Sequence, residues 1–304
     1  MTDSSPLVSI GLPVFNGEAY LRRALDSLLS QDYPNFELIV SDNASTDGTQ
    51  AICQEYAARD SRLKVYRNET NLGSAINFSR AFVLSSGKYF AWAGNDDWWE
   101  SDFISKCVTA LESAPEAVLC YTLAQFVDRA GQHMAIIDSD VTTRGLGRLE
   151  RLHTAILRLN SAEAIYGMMR SESLRKTVIV QDCFGPDKSL IYQLAILGHI
   201  VKVPEVLHHY RLVEKSWEEY AEQTTGFVDA RQSPPMPKTS LVKGVIEAVW
   251  KLPIPMLQKP ALMLDAVYCL NRRYNHRFRQ EYKSLRLFWL QKSSDSISKM
   301  HLDH

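Results

Sequence analysis

The chain has 304 residues and carries 34 Lys and Arg against 35 Asp and Glu, so no overall positive field favours a nucleic-acid partner. Apolar residues make up 45% of it, enough for the core of one large α/β domain or of a domain with an appendage. The five cysteines are scattered and form no Cys-x-x-Cys pair, which is typical of reduced thiols in a cytosolic protein.

Strands and helices alternate along the first part of the chain. Apolar runs predict strands at 7–14, 36–41, 63–66 and 89–93, and helical spacing predicts helices around 20–28, 52–56, 76–84 and 103–111. Alternation of this kind is typical of a parallel sheet with right-handed crossover connections. We therefore expect an α/β fold.

The pattern becomes mixed after residue 115. A strand predicted at 118–127 precedes turn residues at 129–131, which favour a hairpin, and further strands are predicted at 165–169, 200–203 and 206–211. Helices are predicted at 149–159 and 187–197. A Pro-rich segment at 232–237 leads into a tail with two apolar helical faces, which from residue 236 carries 12 Lys and Arg against 5 Asp and Glu. We expect this tail to be a basic helical appendage.

Carboxylates follow two of the predicted strands. Asp96 and Asp97 come directly after the strand at 89–93, and Asp42 follows the strand at 36–41. Ligands of open α/β sheets bind beyond the carboxyl ends of the strands. Acidic groups at two such ends indicate a site for a metal-bound phosphate compound that carries a base or a sugar.

Five segments occur together in one order: Pro13–Asn16, Leu38–Thr49, Arg67–Asn77, Gly87–Asp97 and Gly185–Arg211. Their residues and spacing resemble family 2 glycosyltransferases over roughly residues 7–215. The resemblance implies an inverting enzyme with a GT-A fold, a Rossmann-like, mixed but mainly parallel sheet flanked by helices. It places this domain at 1–231, with a nucleotide-sugar half at 1–115 and an acceptor half at 116–231. The remainder, 232–304, is the linker and tail.

The same resemblance implies roles for individual residues. Asp42 would accept a hydrogen bond from the base, Asp96 would hold Mn²⁺ or Mg²⁺ on the diphosphate, and Asp187 would deprotonate the acceptor. A hard cation suits a leaving diphosphate, and a sugar hydroxyl needs a general base. The remaining residues expected at the nucleotide-sugar are Pro13, Phe15, Asn71, Asn77, Asn95, Asp97 and Arg211.

Two positions depart from the family pattern. Family members commonly carry Asp-x-Asp at the metal motif, where this chain has Gly94 in the first position. Many also carry a histidine two positions after the arginine that corresponds to Arg211, where this chain has Val213. His208 or His209 could substitute, but neighbours on a strand point to opposite faces, so we expect at most one to reach the site.

Structural alternatives stand beside these roles. Asp97 could cap the helix that starts near Ser101, Asp47 is expected to be a cap or turn residue, and Arg211 could form a surface ion pair. A catalytically impaired GT-A module that binds nucleotide or a partner protein is the main alternative function. A nucleotidyltransferase would need a Gly- and Arg-rich phosphate loop after the first strand, and a dinucleotide oxidoreductase would need a GxGxxG motif there.

The expected partners are a nucleotide-diphospho-sugar, UDP-linked by preference, and a glycan or lipid-linked acceptor. The polar start Met1–Ser5 predicts no signal peptide, and no run of about eighteen apolar residues predicts a spanning helix. We expect a cytoplasmic protein. Its basic tail would either lie on the inner face of the membrane, pack on the domain or form a homodimer interface.

Overall fold

The computed structural model describes residues 5–159, 163–179, 181, 183, 185–212 and 237–275 of the chain. Its first half follows the predicted alternation. In order, the elements are β1 (Val8–Val14), α1 (Leu21–Leu29), β2 (Phe36–Asp42), α2 (Thr49–Ala57), β3 (Leu63–Arg67), α3 (Ser74–Val83), β4 (Tyr89–Trp92), β5 (Trp98–Trp99) and α4 (Phe103–Glu112).

The second half begins with the predicted hairpin, in which Gly131 at the turn has a φ of 85°. The elements are β6 (Ala117–Val127), β7 (His133–Ile137), α5 (Arg148–Arg158), a 3₁₀ turn (Glu163–Tyr166), β8 (Met168–Arg170), α6 (Ser171–Leu174), α7 (Pro186–Leu197) and β9 (His199–Arg211). The tail contributes α8 (Pro237–Lys251) and α9, which is described over 259–275.

In the part of the chain that the structure describes, nine strands form one mixed sheet in the order β3-β2-β1-β4-β8-β6-β9-β5, with β7 paired to β6 beside this path. The strands β3, β2, β1 and β4 run parallel, as do β6 and β9. β8 lies antiparallel between β4 and β6, and β5 is antiparallel to β9. The carboxyl ends of β1, β2 and β4 therefore meet at one edge of the sheet.

Helices cover both faces of the sheet and divide the core in two. One cluster packs α1, α2 and α4 against residues such as Ile10 and Leu38. The other packs α5, α7, α8 and α9 around Trp92 and Tyr121. Strands buried on both sides explain the largely apolar runs at β1, β2 and β4.

Three predicted strands differ from the structure. The predicted strand at 165–169 is shorter, because Glu163–Tyr166 form a 3₁₀ turn and β8 begins only at Met168. The strands predicted at 200–203 and 206–211 are one strand, β9. Its register against β6 shifts between Val203 and Val206, and this bulge accommodates Pro204.

Candidate active site

The loops after β1 and β2 interlock at the carboxyl edge of the sheet. The backbone N–H of Asn16 donates to Ser45 Oγ at 2.9 Å, and Asn16 Oδ1 accepts from the Thr46 N–H at 2.8 Å. Asn16 and Ala44 both have positive φ, 51° and 62°, a conformation that few non-glycine residues adopt. Such strain is maintained where the surrounding contacts determine the loop shape, as they do here.

Two predicted residues lie within or beside β1. Pro13 is buried and pairs with Ser41 of β2, while Phe15 is half-buried at the strand end. Asp47 behaves as the predicted turn residue, since its Oδ1 accepts from the Thr49 N–H at 3.0 Å. Asn95 lies against the same loop, because a Cβ added at Gly17 would meet Asn95 Nδ2 at 2.6 Å.

Asp42 is 1% exposed, and both of its carboxylate oxygens have partners. Oδ1 accepts from the backbone N–H and hydroxyl of Ser45 at 3.0 and 2.5 Å, and Oδ2 forms an ion pair with Arg67. Arg67 also donates to the Ser45 carbonyl at 2.8 Å. The arginine stands at the end of β3, next to β2, and retains one third of its side-chain exposure.

The two asparagines predicted at the nucleotide have different surroundings. Asn71 is exposed, and its Oδ1 accepts from Asn43 Nδ2 at 2.6 Å. Asn77 is buried: its Nδ2 donates to the Ser41 carbonyl at 2.8 Å, and its Oδ1 accepts from the Ser41 hydroxyl at 2.7 Å. The Asn77 amide therefore holds α3 against β2, and its contact with nucleotide stays a prediction.

Asp96 and Asp97 have separate environments after β4. Asp96 is half-buried at the edge of the sheet, whereas Asp97 is 2% exposed. Asp97 Oδ1 accepts from the Arg211 N–H at 2.8 Å, and Oδ2 lies 3.2 Å from His208 Nε2. Asp97 is thus not the cap considered as an alternative, since α4 begins at Phe103. Its carboxylate fastens β9 to the end of β4, and its contact with the nucleotide-sugar stays a prediction.

Gly94 occupies the position where the family commonly has an aspartate. A Cβ at Gly94 would meet Asp97 Oδ2 at 2.6 Å and Asp96 Oδ1 at 3.3 Å. Asp97 is held by His208 and Arg211, so it cannot turn aside without losing both contacts. The carboxylate of Asp97 therefore fills the space of the missing side chain.

The neighbouring histidines point to opposite sides of β9, as strand alternation predicts. His208 reaches Asp97 and stacks on Trp99, with ring centroids 5.0 Å apart. His209 instead stacks on Trp98 at 4.7 Å and contacts Glu100 at 2.7 Å. Burial lowers the pKa of His209, although Glu100 opposes this effect, so that its imidazole is neutral near pH 7. Val213 lies outside the described residues.

Arg211 is 5% exposed and is held mainly by backbone carbonyls. Its Nε donates to the Asp96 carbonyl at 3.0 Å and its Nη1 to the Arg129 carbonyl at 2.8 Å. The guanidinium of Arg23 lies close by, 3.3 Å over the ring of Trp98. Desolvation lowers the pKa of Arg23, and the charge of Arg211 lowers it further. Because Arg211 is buried and donates to backbone carbonyls, the surface ion pair considered for it is ruled out.

Asp187 lies in the first turn of α7, after Gly185 with a φ of 68° and Pro186. It is half-buried and lines a cavity of about 550 Å³. Ser74 and Ala75 of α3 and Trp92 of β4 also line it. Desolvation raises the pKa of Asp187, and the Lys188 backbone N–H and charge offset part of this shift.

Two tyrosines connect this cavity to the carboxylates after β4. Tyr166 and Tyr210 both line it, with ring centroids 6.0 Å apart. Burial raises the pKa of each hydroxyl, and the charges of Asp96, Asp97 and Asp187 raise it further. Asp187 therefore shares one electrostatic environment with the β4 carboxylates, and both phenols remain protonated donors.

Sequence reasoning missed several residues of this region: Arg23, Arg67, Glu163, Tyr166 and Tyr210. The position of Arg67 at the end of β3 could have indicated it, by the same edge rule that selected Asp42. Glu163 gave no such signal, because it precedes a segment whose pattern predicted only a strand.

The comparison with known families decides the identity of this arrangement. Residues 9–177, more than half of the chain, match the sequence profile described as Glycosyl transferase family 2. The chain belongs to glycosyl transferase family 2. The family resemblance seen in the sequence, and the enzyme class that it implied, are thereby confirmed.

Two relatives show how far the similarity extends. TuaG of Bacillus subtilis, provisionally named a teichuronic acid biosynthesis glycosyltransferase, is 38% identical over 106 residues, 35% of this chain and 42% of its own. An uncharacterized glycosyltransferase of Haemophilus influenzae is 29% identical over 217 residues, 69% of this chain and 67% of its own. The match thus spans under half of TuaG and about two thirds of the second protein.

Two solved structures share the fold of this chain. S. aureus TarS (1–349), in complex with UDP-GlcNAc, superposes with a TM-score of 0.63 at 18% identity, over 89% of this chain and 73% of that one. The mannosyltransferase PcManGT of Pyrobaculum calidifontis, in complex with GDP-Man and Mn²⁺, gives 0.58 at 16% identity, over 97% and 81%. These similarities confirm the predicted GT-A fold. Over the residues described, no helix is both long and apolar enough to cross a bilayer.

Proposed function

We propose that this chain transfers a sugar from a nucleoside-diphospho-sugar, UDP-linked by preference, to a hydroxyl acceptor with inversion of configuration. The observation that carries the proposal is the position of Asp187. It lines a cavity that also reaches α3 and β4, the elements that border the proposed nucleotide site. The structurally similar protein TarS was solved in complex with UDP-GlcNAc, which supports the choice of a UDP-sugar.

The nucleoside would bind at the interlocked loops after β1 and β2. Pro13 and Phe15 shape one wall, and Asp42 lies at the end of β2. Because Arg67 is paired with Asp42, a base N–H must share that carboxylate or displace the guanidinium, which is partly exposed and can move. Asn71 and Asn95 lie on the loops that border this position.

The diphosphate would bind between Asp96 and the arginine pair, Arg23 and Arg211. A half-buried strand-end carboxylate is a hard oxygen ligand, which fits Mg²⁺ or Mn²⁺ when diphosphate and water supply the remaining oxygens. When bound, the cation would stabilise charge on the departing diphosphate. Among the described residues, the cluster of His, Cys, Asp or Glu side chains whose ligand atoms lie close together is His153, Asp265 and Cys269, and it does not include Asp96. A cation at Asp96 would therefore need the oxygens of diphosphate and water as further ligands. The Mn²⁺ complex of PcManGT supports this assignment.

Asp187 would act as the general base. Its raised pKa makes the ionised carboxylate a stronger proton acceptor than that of an exposed aspartate. The acceptor hydroxyl gives its proton to Asp187 as its oxygen attacks the anomeric carbon from the side opposite the diphosphate. The protonated hydroxyls of Tyr166 and Tyr210 can donate hydrogen bonds without adding charge.

The acceptor is proposed to be a glycan or a lipid-linked glycan, at the cytoplasmic face of a membrane. The name of TuaG, which refers to teichuronic acid biosynthesis, supports this class. The exposed apolar residues of the tail support the location: Trp250, Met256, Leu257, Leu264 and Tyr268.

A thermal-shift panel of UDP, GDP, CDP and dTDP, each with and without Mn²⁺ or Mg²⁺, tests the donor site. A ligand at a hundred times its Kd should stabilise the protein by about 2.7 kcal/mol. We expect UDP to shift the melting temperature most, and the shift to grow with the cation. Absence of any shift at saturating nucleotide would refute the donor site.

The position of Gly94 favours one alternative, a module that binds nucleotide without turnover. It predicts the same thermal shifts and no donor hydrolysis or transfer, so turnover separates the two functions.

A further inference from the structure

Glu163 is a buried carboxylate in the wall of the Asp187 cavity. It opens the 3₁₀ turn before β8 and is 6% exposed. Neither carboxylate oxygen has a hydrogen-bond partner in the part of the chain that the structure describes. Its charge also contributes to the raised pKa of Tyr210, which lines the same cavity.

An unpartnered buried carboxylate is costly, because burial removes water from both oxygens and nothing replaces it. Buried polar groups in native proteins nearly always have partners, so an exception calls for a cause. The unpartnered carboxylate is that of Glu163, which lines a cavity of about 550 Å³, a size typical of small-molecule sites. The missing donors are therefore expected from a ligand.

The cavity wall defines the chemistry of that ligand. An ionised carboxylate only accepts hydrogen bonds, so the ligand must present hydroxyl or amide donors. Phe78, Trp92 and Tyr166 provide aromatic surface that suits the C–H face of a pyranose ring. Among the described residues that line the cavity, Glu163 and Asp187 place two carboxylates against one cationic side chain, Lys188. A sugar that carries its own carboxylate would be repelled.

The position of the cavity identifies which sugar it holds. Ser74 and Ala75, in the first turn of α3 after the loop of Asn71, line this cavity, and so does Trp92, the last residue of β4 before Asp96. Asp187, the proposed base, lines it too. A sugar joined to a diphosphate at Asp96 would extend into this space toward the base.

We propose that Glu163 binds the transferred sugar through its ring hydroxyls and selects a neutral hexose or N-acetylhexosamine over a uronic acid. This inference rests on the proposed function, since it assigns the sugar half of the same donor. Glu163 is a specificity residue in it, and proton transfer stays with Asp187.

The test compares Glu163→Gln and Glu163→Ala with the wild type by calorimetric titration of UDP, UDP-glucose, UDP-N-acetylglucosamine and UDP-glucuronic acid, with Mn²⁺ present. GDP and GDP-mannose replace them if the nucleotide panel selects guanine. We expect the wild type to prefer a neutral sugar nucleotide over the glucuronate by at least about tenfold. In the variants the affinity for the neutral sugar nucleotide should fall about ten- to hundredfold, while UDP affinity stays unchanged. Glu172→Gln, which alters a carboxylate with 82% side-chain exposure, is the matched control.

The melting temperature of the ligand-free variants is a second measurement. Removing an unpartnered buried charge should leave it unchanged or raise it, whereas a structural role predicts a fall. Equal losses of UDP and sugar-nucleotide affinity would overturn the proposal. The proposal would also be overturned if the variants kept the donor affinity of the wild type but had a higher KM for the acceptor. If no nucleotide binds the wild type, the proposed function fails and this inference fails with it; nucleotide binding without the selectivity overturns the inference alone.

Discussion

Asp187 is the residue on which the proposed chemistry depends most directly. Asp187→Asn keeps the shape of the side chain and removes the proton acceptor. We expect turnover of the donor to fall at least about a hundredfold, the lower range for a lost general base, while nucleotide affinity is retained. Transfer or donor hydrolysis measured with Mn²⁺, together with a thermal shift, checks both halves of this expectation.

The pH dependence adds a second signature. Because burial raises the pKa of Asp187 above its ordinary value and the base acts only when ionised, activity should fall as pH decreases through that raised pKa. The acid limb should therefore begin at a higher pH than an exposed aspartate would give. Asp32→Asn, at an exposed position, is the control and should leave rate and profile unchanged. Equal rates for Asp187→Asn and wild type would refute the base assignment.

At the scale of the elements, Glu37 ties the parallel strands together. Its Oε1 accepts from the Ser9 hydroxyl of β1 at 2.7 Å and from the Ser86 N–H before β4 at 2.9 Å. Lys64 of β3 lies 2.7 Å from its other oxygen. Burial alone would raise the pKa of Glu37, but these contacts together lower it to about 2.

This lowered pKa predicts how stability varies with acid. The folded pKa lies below the ordinary value of 4.5, so the stabilisation is complete above about pH 4.5 and is lost as pH falls toward 2. Glu37→Gln should lower the free energy of unfolding at pH 7, and its stability should change less than that of wild type from pH 5 to pH 3. Urea unfolding at these pH values measures it. Glu55→Gln, at a surface ion pair, should have little effect; a matching loss there would contradict the argument.

Elements with one dominant periodicity could be predicted from the sequence, and those set by partners could not. The apolar faces of α1 and α4 and the runs of β1 and β2 were evident, because burial alone determines them. β5 has two residues and exists only because Trp98 and Trp99 pair with His209 and His208. The same limit applied to the site: Asp42 was predicted from its place after a strand and Asp187 from the family resemblance, but the contacts of Asp97 and Asn77 depend on strands distant in sequence.

At the scale of the whole molecule, the tail is part of the enzyme core on one side and exposed on the other. Leu241 of α8 and Leu262 and Cys269 of α9 belong to the same buried cluster as α7. The prediction of two apolar helical faces is confirmed for these described helices, and packing on the domain is one of the alternatives that the sequence left open. The boundary predicted at 232 lies outside the described residues.

The exposed side of the tail carries an apolar stripe, and exposed basic side chains accompany it. This combination favours contact with a membrane surface. Leu257 lies in the 3₁₀ turn Met256–Gln258 before α9, Leu264 and Tyr268 are one helical turn apart on α9, and the two leucines are 95% and 72% exposed. Lys251 at the end of α8 and Arg272 of α9 are also exposed. Apolar insertion combined with basic side chains is the pattern of helices that lie on anionic lipid.

Vesicle co-sedimentation of the full chain tests this contact. Wild type should bind vesicles that contain phosphatidylglycerol more strongly than neutral phosphatidylcholine vesicles. Salt at 0.5 M should weaken binding because it screens the basic residues: the Debye length falls from about 10 Å at 0.1 M to about 3 Å at 1 M. A Leu257→Ser, Leu264→Ser double variant should bind at least about tenfold less, since each buried leucine contributes roughly 1.5–3 kcal/mol. Met134→Ser, which alters an exposed apolar residue of β7, is the control. If the double variant instead abolishes a dimer in solution and leaves vesicle binding intact, the stripe is a protein interface and the membrane assignment is wrong.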